Sequence, residues 1–273
     1  MSAGDAGRRL AAVLSGIDSA LVALSGGVDS AVLLAAAARH VPGRVAAATA
    51  VSPLQPDPGP AEAAARAIGA ERFEVRLDPL ADPAFRSNPP DRCLLCKRMI
   101  FSALREVARR EGLAELLDGS NADDLGERRP GRRALEEIGA RSPLAEAGLT
   151  EADVRRLARA WGLEAADLPA DTCLATRFPY GTELTREGLE RVGAVEAEVR
   201  GIAGGPVRVR AFGSLAVVEV APAEIPSIAA PGARERIAAA IARAGFARGA
   251  VDLRGYRSGS MDEEVPGSDQ NSV

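Results

Sequence analysis

Apolar and polar positions change period several times along the chain, and those changes mark its elements. Residues 20–24, Ala-Leu-Val-Ala-Leu, form a short unbroken apolar run that stops at Ser25-Gly26-Gly27, as a strand buried on both faces does. A helix is predicted over 29–39, with Val32, Leu33 and Leu34 apolar and Pro42-Gly43 as its breaker. A second strand follows at 44–51, then a proline-rich loop, a helix at 61–69 and an alternating strand, Phe73-Glu74-Val75-Arg76-Leu77. Helix 97–111 comes after Cys93 and Cys96. Residues 113–117 read as a fourth strand. The polar stretch 122–147 suits a mobile loop with a short helix at 133–139. Thr150-x-x-Asp153 opens helix 151–160 with a variant of the capping box.

Strands alternating with helices predict an α/β fold, a doubly wound parallel sheet, in which ligands sit at the carboxyl ends of the strands. Ser25-Gly26-Gly27 and Gly119-Ser120-Asn121 both fall at such ends. Past residue 180 the rhythm becomes helix 185–201, strands 206–212 and 215–220 joined at Gly213-Ser214, helix 233–244 and strand 248–253. That order predicts a smaller C-terminal α+β domain. The domain boundaries expected are therefore 1–180, 181–261 and a polar, disordered tail over 262–273.

Composition narrows the function. A net charge of -4 and a pI near 5.4 disfavour binding to nucleic acid, which rests on Lys and Arg neutralising phosphates. Aromatic residues make up only 3%, so base-stacking platforms are scarce. No run is long and apolar enough for a membrane span, and the N-terminal stretch lacks a signal-peptide layout, so a cytoplasmic protein without a membrane partner is expected. His40 is the sole histidine, which disfavours histidine general bases and histidine-rich metal sites.

Ser25-Gly26-Gly27-Val28-Asp29-Ser30 carries the first chemistry. Glycines let a backbone approach a phosphate closely, and amides at a helix N-terminus favour negative charge. The hydroxyls of Ser25 and Ser30 add donors, and Asp29 can reach a Mg2+ bridging phosphates. The hexapeptide resembles the PP-loop of the ATP pyrophosphatase superfamily, whose members cleave ATP between the α and β phosphates and adenylate an oxygen of their substrate. By the same resemblance Thr49 lines the adenosine. Gly119, Asn121 and Asp123 belong to a second nucleotide-site segment, with Asp123 and Asp124 available to Mg2+.

The second chemistry lies in three cysteines, Cys93, Cys96 and Cys173. In a cytosolic chain Cys-x-x-Cys is more often metal-binding or catalytic than a structural disulfide. A redox pair, an incomplete zinc site and a [4Fe-4S] cluster with one iron lacking a protein ligand all remain open from the residues alone. The wider sequence decides more. Asp171 to Gly181 is similar to a signature of LarE-type pyridinium-3,5-biscarboxylic acid mononucleotide sulfurtransferases. So are Asn121 to Asp124 with Arg129-Pro130-Gly131, Ser142-Pro143-Leu144, and Gly255 to Met261.

The resemblance implies thiolation of a pyridinium dicarboxylate mononucleotide while a nickel-pincer nucleotide cofactor is built, the cofactor used by lactate racemase. It implies ATP, Mg2+ and, in the three-cysteine mode, a [4Fe-4S] cluster on Cys93, Cys96 and Cys173 fed by a sulfide donor or cysteine desulfurase. In the other mode Cys173 gives up its own sulfur. A homo-oligomer, with a hexamer as one form, is implied too. For the anionic substrate the candidates are Arg177 beside Cys173, Arg208 and Arg210 alternating on one strand face, and Arg257, because guanidinium groups grip carboxylates and phosphates bidentately. Glu196 joins them by family resemblance. A PP-loop tRNA thiolase is the rival enzyme, a non-catalytic ATP sensor the rival class, and an ammonia-using synthetase a third.

Overall fold

The computed structural model describes residues 1–55, 57–125, 131–167 and 173–257. Arg129-Pro130, Asp171-Thr172, Ser258 to Met261 and the 262–273 tail lie outside the described residues. Two compact units are present, Met1–Pro79 with Asp91–Leu168, and Leu80–Pro90 with Pro169–Val273.

The first unit holds helices α1 (Ala3–Leu14), α2 (Val28–His40), α3 (Gly59–Ile68), α5 (Arg92–Arg110), α6 (Gly131–Ile138), α7 (Pro143–Glu146) and α8 (Glu151–Ala160). Its strands are β1 (Ala20–Ala23), β2 (Val45–Val51), β3 (Glu71–Arg76) and β4 (Glu115–Leu117), all parallel in the order β3-β2-β1-β4. The short α4 (Pro83–Arg86) belongs to the second unit.

Strand β1 is central, with Ala20 opposite Val45 on one side and Glu115 on the other. Alternation splits its side chains between two cores. Ala20 and Val22, with Ala47 of β2, face Leu10 and Leu14 of α1, Leu33 of α2 and Leu157 of α8. Leu21, with Ala46 and Ala48, faces Phe101 and Leu104 of α5 and Leu135 of α6. Helices on both faces make the sheet doubly wound, as the apolar runs predict. Each fully buried leucine contributes about 2 kcal/mol of transfer free energy.

Several elements depart from those the sequence predicts, and three of the departures matter here. Helix α1, capped by Ser2 accepting from the Asp5 N–H, has no predicted counterpart. Strand β3 starts at Glu71, because β2 extends the ladder over polar residues that alternation skips. Helix α5 starts at Arg92 rather than 97, which puts Cys93 and Cys96 inside the helix.

Helix α8 starts at the predicted residue and for the predicted reason. The Thr150 hydroxyl accepts from the Asp153 N–H, and the Asp153 carboxylate accepts from the Thr150 N–H at 3.1 Å and from its hydroxyl at 2.6 Å. These bonds, Thr150 first, hold the Asp153 carboxyl below the usual carboxylate range against the opposing effect of burial, and Arg156 assists. A carboxyl depressed on folding stabilises above its unfolded pKa and loses that stabilisation as pH falls. Asp153→Asn is therefore expected to cost about 1 kcal/mol at neutral pH and to flatten the acid limb of stability, read by denaturant midpoints between pH 3 and pH 7.

In the second unit α9 (Arg186–Arg200) precedes the antiparallel hairpin of β5 (Arg208–Phe212) and β6 (Leu215–Glu219). Helices α10 (Ile225–Ala229) and α11 (Pro231–Arg243) lead to β7 (Arg248–Val251), which pairs parallel to β6. The resulting mixed sheet, ordered β5-β6-β7, matches the predicted α+β arrangement. No helix among the described residues is long and apolar enough to cross a membrane.

Candidate active site

In the first unit the PP-loop-like residues close the gap between β1 and α2. Gly26 takes φ +87°, and a Cβ there would lie 2.6 Å from the Ala61 backbone nitrogen. The bend thus needs glycine both for its dihedral and for its contact with the start of α3. Ser25 and Ser30 brace the loop. The Ser25 N–H donates to Ser30 Oγ at 3.3 Å, the two hydroxyls stand 3.2 Å apart, and the Ser30 hydroxyl donates to Gly27 O at 3.0 Å. Gly27 is the N-cap of α2, and no side chain caps that end. Its first N–H groups therefore point at a position where an anion is stabilised by direct bonds and by the helix dipole. Gly26→Ala is expected to destabilise the protein by about 2–4 kcal/mol, from the left-handed dihedral plus the clash, in chemical denaturation.

Thr49 stands on β2 one step past the Ala23–Ala48 pair, level with Leu24. It is buried, and its Oγ1 has no partner among the described residues. A buried hydroxyl without a partner is costly, so its place beside the loop marks a donor available to a bound group.

The second segment approaches from β4. A Cβ on Gly119 would lie 3.1 Å from the Ser30 nitrogen, so the two loops touch through backbone. Asn121 Nδ2 donates to Asp29 Oδ1 at 3.1 Å, and the Asn121 N–H donates to Asp124 Oδ2 at 3.0 Å. Burial, first of all, pushes the Asp29 carboxyl up. The Asn121 bond opposes this, while the carboxylates of Asp124 and Glu151 add to it. A carboxyl held above its ordinary pKa beside other carboxylates is a place where a divalent cation would displace a proton. Asp123 turns elsewhere: its Oδ2 accepts from the Glu151 N–H at 2.8 Å, at the start of α8.

Cys93 and Cys96 lie three residues apart near the start of α5, so they share one helix face. Cys93 is exposed and Cys96 partly so, and neither forms a disulfide. Among the described residues no three His, Cys, Asp or Glu side chains are gathered to hold a metal ion. In donor type the cysteines nonetheless fit an iron-sulfur cluster. Thiolates are its protein ligands, and two of them one turn apart can bind one centre.

In the second unit Cys173 is the N-cap of a 3-10 turn, Leu174–Arg177, and is partly exposed. Its carbonyl accepts from the Thr176 N–H at 3.0 Å, the Thr176 hydroxyl at 2.8 Å and Arg177 Nη1 at 3.4 Å. Arg177 and Glu196 are both 0% exposed and form a two-pronged pair, Nε to Oε1 at 2.5 Å and Nη2 to Oε2 at 3.1 Å. Glu196 also accepts from Arg200 and from the Val209 N–H. Arg210 bonds the Thr176 carbonyl at 2.7 Å and Glu219 at 2.9 Å. Arg208 stacks on the Tyr256 ring, with Arg257 next along the chain. Arg177, Glu196, Arg208 and Arg210 thus form one buried charged layer behind the Cys173 turn.

Sequence reasoning misses three parts of this layer. Glu219, opposite Arg208 in the hairpin, needs the strand register to be seen. Thr176 stands out in the chain only as part of a motif. Asn88 is fully buried at φ +54°, its Nδ2 donates to Pro179 O at 2.9 Å, and its carbonyl accepts from the Gly181 N–H. It ties the 80–90 segment to the chain just after the Cys173 turn. The Asn88-Pro89-Pro90 run is its one available signal.

With both units in view, comparisons with known proteins decide the family. A family model described as asparagine synthase matches residues 18–125. Pyridinium-3,5-bisthiocarboxylic acid mononucleotide synthase of Lactiplantibacillus plantarum is 36% identical over 260 residues, covering 94% of this chain and 93% of that protein. The chain belongs to the LarE family. An uncharacterised protein of Synechocystis sp. is 39% identical, with 90% of this chain and 92% of that one covered. An uncharacterised protein of Methanocaldococcus jannaschii is 34% identical over 56% of this chain and 60% of its own. The match to the Lactiplantibacillus plantarum synthase covers 94% of this chain and so takes in residues of both units.

Proposed function

We propose that the protein is an ATP-dependent sulfurtransferase that converts the carboxylates of pyridinium-3,5-biscarboxylic acid mononucleotide to thiocarboxylates, a step in building a nickel-pincer nucleotide cofactor. The observation that carries this reading is the unspent hydrogen bonding at the carboxyl ends of β1 and β2. The α2 N-terminus has no side-chain cap, and buried Thr49 Oγ1 lacks a partner among the described residues. The α2 N-terminus carries Asp29, which meets Asn121 and, through it, Asp124.

In this reading Ser25, Gly26, Gly27 and Ser30 cradle the phosphates, while Thr49, Gly119 and Asn121 bound the nucleotide. Asp29 and Asp124 would hold Mg2+, and Asp123 would do so only by releasing its bond to α8. A substrate carboxylate oxygen attacks the α-phosphate, the bond to the β-phosphate breaks, and pyrophosphate leaves. The amides at the α2 N-terminus stabilise the charge that develops on the phosphates, and a bound Mg2+ would supply further positive charge there. A sulfide-level sulfur then attacks the acyl carbon, the acyl–oxygen bond to AMP breaks, and one thiocarboxylate forms with loss of AMP. Repeating the cycle thiolates the second carboxylate.

Cys93, Cys96 and Cys173 would hold a [4Fe-4S] cluster, which when bound supplies an iron able to keep sulfide ionised. The protein's own part is to fix the Cys173 turn through Thr176 and the Arg177–Glu196 pair. Arg257 would offer a cationic group to the substrate carboxylates and phosphate, and Arg208 and Arg210, buried as they stand, would do so by giving up their bonds to the Val207 carbonyl, the Thr176 carbonyl and Glu219. The test is pyrophosphate release from ATP·Mg. It should depend on the pyridinium dicarboxylate mononucleotide and not on tRNA; release that depends on tRNA instead would reject the reading.

A further inference from the structure

The sheet of the second unit ends in β7, whose outer edge pairs with no strand among the described residues. All of Arg248–Val251 is exposed. On its inner side the Arg248 N–H donates to Ser214 O at 3.3 Å and the Asp252 N–H to Val218 O at 3.0 Å. By the two-residue period of a strand, Gly249 and Val251 therefore present their backbone groups to the open edge. A groove of about 430 Å3 runs between β7 and α11, lined among others by Ile228, Ile237, Ile241 and Phe246. Gly249 faces it, since a Cβ there would lie 2.5 Å from Ile241 Cδ1. Val251 shares that face, while Arg248, Ala250 and Asp252 share the other.

We propose that this edge is a two-fold interface between two copies of the chain, with β7 antiparallel to β7 of the second copy and Ala250 on the dyad. That register satisfies three requirements together. It sets Gly249 opposite Val251 of the second copy. These are the two residues with outward backbone groups, so they exchange both hydrogen bonds of a narrow pair, and the dyad repeats the pair. It sets Arg248 opposite Asp252 of the second copy on one face, an attractive cross-strand pair formed twice. It also places each Val251 side chain over the position that has none, at the mouth of the apolar groove.

Neighbouring registers fail. A dyad at Val251 sets Arg248 against Arg254, and a dyad at Gly249 sets Arg248 against Ala250 and leaves Asp252 without a cation. A dyad between residues turns outward groups toward inward ones and makes no ladder. An edge strand left open is an aggregation hazard, and closed two-fold pairing removes it. A second copy is the occupant favoured here because the strand is complementary to itself in charge and in shape.

The test uses the full-length chain carrying Ala250→Cys. Directly opposed residues of a non-hydrogen-bonded antiparallel pair have Cα atoms about 4.5 Å apart, within disulfide reach. Mild oxidation should convert most of the chain to a covalent dimer. Mass spectrometry should find two copies of the peptide spanning position 250 joined by a disulfide, distinct from any link through the native cysteines. Arg248→Cys and Asp252→Cys should each fail to cross-link through the new cysteine alone and should do so when mixed. In sedimentation, R248E and D252R should each raise the dimer dissociation constant about tenfold, and the double variant should return it to within about threefold of wild type. A wild-type chain that stays monomeric at tens of micromolar, no link through position 250, or self-linking at 252 would overturn the proposal.

Discussion

Asp29→Asn should lower pyrophosphate release by about 10²-fold or more, because in the proposed function it removes a ligand of the cation that would offset the developing phosphate charge. The same change should stabilise the ligand-free protein. Burial holds the Asp29 carboxyl above its ordinary pKa, with the carboxylates of Asp124 and Glu151 adding to the effect. A carboxyl raised on folding binds its proton more tightly in the folded state. Its contribution is thus most favourable at low pH and is lost as pH rises through the folded pKa. Above that window the wild type carries a buried carboxylate that the asparagine variant does not. Denaturant midpoints at neutral pH, beside a pyrophosphate assay, read both effects on one sample. A variant both less active and less stable would mean that Asp29 is chiefly a structural partner of Asn121.

Cys173→Ala should separate the two half-reactions. In the proposed function adenylation depends on the first unit's loops, so substrate-dependent pyrophosphate exchange should stay within about threefold of wild type. Thiocarboxylate formation should fall by about 10³-fold or more, since sulfur no longer has its anchor. The turn that carries Cys173 is held through backbone carbonyls by Thr176, Arg177 and Arg210, which the substitution leaves in place, so the variant should keep its fold. An alanine variant as active as the wild type, with a carboxamide in place of the thiocarboxylate, would favour an ammonia-type nucleophile over sulfur.

Much of this arrangement is legible in the chain itself. A strand buried on both faces writes an unbroken apolar run, so Ala20 to Leu24 and the turn after it can be read directly. Thr150 and Asp153 act within one turn, and short-range chemistry of that kind survives folding unchanged. What cannot be read is decided by residues far apart. Glu196 pairs with Arg177 across 19 positions and Arg210 with Glu219 across the hairpin. A sequence gives a guanidinium's presence but not whether it faces ligand or core. Asp123 and Asp124 look equivalent in the chain, yet one binds the start of α8 and the other the Asn121 amide. Asn88 is hidden for the same reason, because its partners lie about 90 residues on.

The most direct test of the central claim is anaerobic turnover with ATP·Mg, the pyridinium dicarboxylate mononucleotide and sulfide, read by mass spectrometry of product and protein together with iron and acid-labile sulfide analysis. The account predicts a product in which each carboxylate has exchanged one oxygen for sulfur, one AMP and one pyrophosphate per exchange, about four irons per chain and Cys173 unchanged in mass over several turnovers. AMP and pyrophosphate without sulfur in the product would contradict the sulfurtransferase reading. An iron-free protein whose Cys173 peptide loses the mass of hydrogen sulfide after a single turnover would contradict the cluster and make Cys173 itself the sulfur source.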